Sequence, residues 1–127
     1  MEDLITRIAA ETGVEPDIAK KAVGMILGFL QKEGPQAEVG ALLAAIPGAA
    51  EAAGAAAGQE SSAAAGGLLG AIGGGLLGLA GQLTSLGLGM GQMQAIGREV
   101  FAYAREKAGD EAVGQVAAAI PGVTQFL

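Results

Sequence analysis

The sequence predicts an all-α protein, a six-helix bundle made of two similar three-helix units around a buried Gly/Ala/Leu-rich central helix. Three observations lead to this prediction. Apolar residues recur at the three-or-four spacing of amphipathic helices along most of the chain. A long stretch, from Ser61 to Gly97, contains no charged residue. The two halves of the chain also align with each other when one is shifted by 74 residues. At 127 residues, a single domain is the expected organisation.

The uncharged stretch contains the predicted central helix, which we expect to span Ala64–Leu86. Four glycines recur at every fourth position and would stack as one bare stripe along a helix: Gly66, Gly70, Gly74 and Gly78. A stripe of small residues lets another backbone approach closely. Leucine and isoleucine occupy the other faces, so we expect this helix to be enclosed on all sides by the two units.

Residues 1–48 are expected to form the first three-helix unit. An amphipathic helix is predicted over Asp3–Thr12, and a longer helix begins at Pro16 because proline suits the first helical position. A third helix covers Gln36–Ile46, and the proline after it ends the helical hydrogen-bond pattern. Residues 49–62 follow as an Ala/Gly-rich connector, which has no large apolar side chain to anchor a core.

Residues 63–127 are expected to form the second three-helix unit. The central helix ends at the break Leu86-Gly87-Leu88-Gly89, and an amphipathic helix follows over Gln92–Ala108. Asp110 is predicted to cap the N-terminus of the last helix, which runs to Ile120.

The two predicted units match each other in sequence. Shifted by 74 residues, Gly13 falls on Gly87, and the segment Ala44–Gly48 falls on the identical segment Ala118–Gly122. An internal repeat is a strong indication of architecture. We therefore interpret the two units as packed around a pseudo-two-fold axis.

The second half resembles a small family of bacterial proteins of uncharacterised function, the VcgC/VcgE-like proteins. The resemblance covers about residues 63–122. It lies in an LGLGMG segment followed by an amphipathic helix, a short acidic turn at Asp110-Glu111 and a final helix that ends near Pro121-Gly122. What this resemblance implies is a helical fold, and it brings no functional residues with it.

The composition argues against several classes of function. A formal net charge of −6 argues against nucleic acid and anionic membrane surfaces as partners. The chain has no cysteine and no histidine, so thiolate chemistry, the commonest general base and the commonest transition-metal ligand are all missing. We therefore expect no catalytic, cofactor-binding or metal-binding residues, and we do not expect an enzyme.

The sequence also bears on location and on membranes. The acidic N-terminus does not have the basic, apolar pattern of a signal peptide, so a cytoplasmic protein is expected. The central stretch is long enough to span a bilayer. However, its glycines dilute the hydrophobicity, Gln82, Thr84 and Ser85 interrupt its far end, and no aromatic or basic anchors flank it. Membrane insertion is therefore an alternative rather than the leading interpretation.

Methionine and aromatic side chains recur at helical spacing: Met25, Phe29, Met90, Met93, Phe101 and Tyr103. We expect them to fill the core, with an adaptable apolar pocket or partner surface as the alternative.

The C-terminal tail carries three apolar residues, Val123, Phe126 and Leu127, with nothing after them to bury them. Together with the face of Phe101 and Tyr103 they are the expected contact of a closed two-fold dimer. The leading function is thus a non-enzymatic helical interaction or scaffold module that self-associates. The alternatives are a membrane-active protein that inserts its central helix, and a carrier of a small apolar ligand held beside the Gly stripe.

Overall fold

The computed structural model describes residues 2–54 and 76–120. Throughout these residues the regular secondary structure is helical, which confirms the predicted all-α class. The helices are α1 (Glu2–Thr12), α2 (Pro16–Glu33), α3 (Gln36–Ala45), α4 (Leu76–Ser85), α5 (Met90–Ala108) and α6 (Asp110–Ala119). Residues 49–54 are helical as well, so the described residues contain seven helical segments rather than the six that were predicted.

Two helix starts differ from the prediction by one or two residues. Helix α5 begins at Met90 because Gly89 is its N-cap, and the Gly89 N–H donates to the Gln92 side-chain oxygen at 2.9 Å. The N-cap of α6 is Gly109, with φ at 95°, and Asp110 is already helical. The acidic side chain of Asp110 therefore lies in the first turn, where it interacts favourably with the helix dipole.

The long helices α2 and α5 lie at the middle of the packing. Helix α2 contacts α1, α3, α4 and α5, and helix α5 contacts α1, α2, α3 and α6. Each of these helices buries one broad apolar face, and the largest fully buried side chains of the pair include Val23, Leu27, Leu30, Ile96 and Val100. The shorter helices each place one apolar face against this pair, since burial of apolar area is the dominant stabilising term.

The predicted connector contributes to the core, contrary to expectation. Its first residues, 49–54, form a helical turn in which Ala49 and Ala53 are fully buried. The Ala49 N–H donates to the Ile46 carbonyl at 3.1 Å and directs the chain back onto the core. Methyl groups are sufficient here because the segment lies close against its neighbours. Residues 55–62 of the predicted connector lie outside the described residues.

The prediction of an all-round enclosed central helix is wrong for the part that the structure describes. Helix α4 buries Leu79 and Leu83, whereas Gly81, Thr84 and Ser85 are exposed. It therefore packs on α2 through one face. The middle of the packing belongs instead to α2 and α5, which are 18 and 19 residues long and each bury one broad apolar face. The predicted residues 64–75 lie outside the described residues.

Gly34, between α2 and α3, is a position where the fold requires glycine because of close approach. A Cβ at this position would lie 2.6 Å from the Leu30 carbonyl oxygen and 2.6 Å from a methyl carbon of Val39. The Ile120 side chain is 3.5 Å away on the other side. The Gly34 N–H also donates to the Leu30 carbonyl at 2.7 Å, which holds the backbone in this position.

We expect Gly34→Ala to lower the free energy of unfolding by about 1–3 kcal/mol, because the added methyl must displace backbone rather than a flexible side chain. The matched control is Gly81→Ala in α4, where a Cβ meets nothing within 4 Å. That control should stabilise by about 0.5–1 kcal/mol, since alanine is the better helix former. Urea unfolding followed by circular dichroism measures both. Equal stabilities for Gly34→Ala and the parent would contradict the close packing.

Candidate interaction surface

The third and sixth helices lie against each other and share an uncharged outer face. Their inner faces carry the large buried side chains, such as Val39 and Leu42 on α3 and Val113 and Val116 on α6. The exposed residues of the two helices beyond their first turns form what we call the α3–α6 outer face: Gly40, Ala41, Ala44, Gly114, Gln115, Ala118 and Ala119. One glutamine side chain is therefore the only polar side chain on this face.

The absence of charge on this face follows from the sequence. No ionisable residue lies between Glu38 and Glu51, or anywhere after Glu111. The exposed faces of the long helices differ, since they carry residues such as Lys20, Lys21 and Arg98. A helix that is apolar on every side is normally enclosed by other protein. Beyond its first turn helix α3 has this composition, yet one of its sides is exposed.

Glycine occupies equivalent positions in the middle of both helices. The 74-residue alignment pairs Gly40 with Gly114, and a Cβ at either position would meet nothing within 4 Å. Glycine in a helix interior costs about 0.5–1 kcal/mol relative to alanine. The packing of the described residues gives no reason for glycine at either position. Close approach by another backbone would explain glycine at both positions.

Two of the five predicted self-association residues lie within the described residues. Phe101 and Tyr103 are each 4% exposed and belong to the core. Their place on a partner surface is therefore a wrong prediction, because α5 is covered by α1, α2, α3 and α6. Val123, Phe126 and Leu127 lie outside the described residues.

The predicted glycine stripe is also largely beyond what the structure describes. Gly66, Gly70 and Gly74 lie outside the described residues, and Gly78 lies in α4. The role of these four glycines as a helix-packing stripe stays a prediction.

The methionine and aromatic residues mostly fill the core, as predicted. Phe29, Met93, Phe101 and Tyr103 are buried, and Met25 is partly buried against the same cluster. The prediction is wrong for Met90, which is 71% exposed as the first residue of α5. A position in the first turn, beyond the neighbouring helices, leaves its side chain in solvent.

Within residues 2–54 and 76–120, no three carboxylates lie close enough together to hold a metal ion. Among the helices described there, none is long and apolar enough to cross a membrane.

The α3–α6 outer face was not among the predicted sites, although one signal for it is present in the sequence. The 74-residue alignment has most of its identities in α3 and α6 and the turns that follow them. The buried identities, such as Val39 with Val113, are explained by the core. The core does not explain the exposed identity of Gly40 with Gly114, which lies on the α3–α6 outer face.

Comparison with known proteins returns no relative. No family model matches the chain, and no curated protein and no solved structure matches it either. The resemblance of the second half to the VcgC/VcgE-like proteins gains no support from these comparisons.

We expect the double variant Gly40→Ala/Gly114→Ala to be more stable than the parent by about 1–2 kcal/mol, because two exposed helical glycines gain helix propensity without meeting any neighbour. The melting temperature, measured at a dilution where the chain is monomeric, should rise by several degrees. A decrease would mean that the chain itself uses the space beside these glycines.

Proposed function

We propose that this chain is a non-enzymatic helical interaction or scaffold module that associates with copies of itself through the α3–α6 outer face. The observation that carries the proposal is the pair of exposed glycines, Gly40 and Gly114, on the uncharged outer face of two adjacent helices. Small residues on a helix surface allow another helix to approach closely and to gain dispersion contacts along its length. A cytoplasmic location agrees with this role and remains an expectation.

A second copy is the occupant that this face suits best. The face offers no charge with which to recognise a charged partner, and its two helices present the same residues, Gly40 with Gly114 and Ala44 with Ala118. A two-fold contact requires a surface that complements itself. Two helices with matching small residues supply such a surface. If α3 of one copy packs against α6 of the other, then α6 of the first copy packs in the same way against α3 of the second.

We further propose that the chain is built from two similar three-helix units around a pseudo-two-fold axis. Helix bounds support this, since Gln36–Ala45 and Asp110–Ala119 are related by the 74-residue shift at both ends. Gly13 and Gly87, also related by the shift, both have positive φ, at 69° and 88°. Two sets of contacts are reciprocal as well: α1 on α5 matches α4 on α2, and α2 on α3 matches α5 on α6.

Self-association is tested by light scattering across a dilution series. We expect the parent mass to approach that of a dimer at high concentration and that of a monomer on dilution. The variant Ala44→Lys/Ala118→Lys should weaken association at least about 100-fold, because like charges would meet across the contact. Lysine is nearly as good a helix former as alanine, so the fold should be kept.

The matched control is Gln31→Lys/Gln94→Lys, which adds the same two charges at exposed positions of α2 and α5. It should associate like the parent. A monomer mass for the parent at every concentration would overturn the proposal. Flotation of the parent with phospholipid vesicles would instead favour the membrane-active alternative.

A further inference from the structure

Two ion pairs join α1 to α5, which are far apart in the sequence, whereas the ion pair of Arg105 with Asp110 joins α5 to the helix that directly follows it. The Arg7 Nε atom is 3.2 Å from Glu99 Oε2, and Arg7 Nη1 donates to Glu106 Oε2 at 3.2 Å. The two carboxylates are seven residues apart and so lie on the same face of α5, two turns from each other. Arg7 therefore bridges two points along α5.

A polar contact at the other end of the same interface fixes its direction. The Gln92 Nε2 atom, in the first turn of α5, donates to the carbonyl oxygen of Thr12 at the end of α1 at 3.2 Å. With Arg7 near Glu99 and Thr12 near Gln92, α1 runs antiparallel to α5. The arginine and the glutamine together set the register of the two helices.

The Glu99 carboxylate is largely buried, so it depends on the nearby positive charge of Arg7. The Glu99 side chain is 22% exposed, and its Oε2 atom is buried. The Arg7 Nε contact is close in distance but is not aligned as a hydrogen bond, so its contribution is charge attraction. A buried carboxylate that loses its cation is strongly disfavoured, because it keeps the cost of desolvation without the compensating attraction.

The interface between α4 and α2 has no such pair. The 74-residue shift places Gly81 at the position of Arg7, and it places Met25 and Lys32 at the positions of Glu99 and Glu106. Helix α4 belongs to the uncharged stretch, so it carries no charge to offer. The two contacts have corresponding positions along the chain, but only one of them is ionic.

We propose that Arg7 is a pairing determinant whose charge selects α1, and not α4, as the short helix that lies on α5. This proposal rests on the two-unit architecture proposed above. If α1 and α4 exchanged places, Glu99 and Glu106 would face Gly81 and have no cation. Arg7 would at the same time lie beside Lys32, with like charges opposed. Specificity of this kind comes from penalties on the wrong pairing as much as from attraction in the right one.

Tyr103 provides a single probe for the experiment. It is the only tyrosine of the chain, it is 4% exposed, and it lies between Glu99 and Glu106 on the same face of α5. Replacing it with 3-fluorotyrosine places one fluorine beside the helix that occupies this site. Fluorine NMR then counts the arrangements, because each arrangement gives its own resonance when exchange is slow.

Three proteins are compared in this experiment. The parent and the reversed variant Arg7→Glu/Lys32→Glu/Glu99→Arg/Glu106→Arg should each give one resonance, because both keep attraction in the observed pairing and repulsion in the exchanged one. The neutral variant Arg7→Gln/Glu99→Gln/Glu106→Gln keeps side chains of similar size but removes the three charges that select the pairing. We expect it to remain helical and to show a second resonance with up to about 10% of the intensity, the upper end of the usual population of a minor state.

A single resonance from the neutral variant, or loss of its helical circular dichroism, would overturn the proposal, because packing or simple stabilisation would then explain the pair. Spectra at two concentrations separate this result from self-association. The intensity ratio should not change with concentration if two pairings coexist within the chain. A ratio that follows concentration would assign the second resonance to association and would also count against the pairing role.

Discussion

The structure depends on burial of the two long helices, α2 and α5, against each other and against every other described helix. Their side chains supply much of the core, including Leu27, Leu30, Ile96 and Val100. The chain has one tyrosine, three phenylalanines and no tryptophan, so large aromatic contacts contribute little. Close backbone approach compensates for this, as at Gly34, because dispersion attraction falls steeply with distance. The same dependence on small residues leaves α3 and α6 with an outer face that is neither charged nor covered by described residues.

Much of the fold was predictable from the sequence, and the reasons are local. Pro16 begins α2 and Gly34-Pro35 ends it because proline restricts the backbone in a way that does not depend on neighbours. The position of α4 was not predictable in this way. Its apolar composition indicates that it is buried, but it does not say by which helices, and α2 and α5 occupy the middle instead. Ala49 and Ala53 were missed because a methyl group gives no periodic signal, yet it is buried wherever a backbone passes close by.

The candidate surface was harder to predict than the fold, for a physical reason. Large side chains such as Phe101 and Tyr103 suggest contact surfaces, but on a helix surrounded by others they are buried by the chain itself. The residues that remain on α3 and α6 are small, and small residues are ambiguous in sequence because alanine suits both core and solvent. The exposed glycines resolve the ambiguity only when the structure places their Cβ positions in open space.

Coverage of the α3–α6 outer face by a second copy is tested most directly by a soluble paramagnetic agent, which broadens amide resonances that solvent can reach. At high protein concentration, the amides of Gly40 and Gly114 should be protected from this broadening. The amide of Lys21, on the exposed side of α2, is the control, and its broadening should be the same at high and at low protein concentration. Dilution should remove the protection of the two glycines. Broadening of Gly40 and Gly114 that is the same at every concentration would contradict the account.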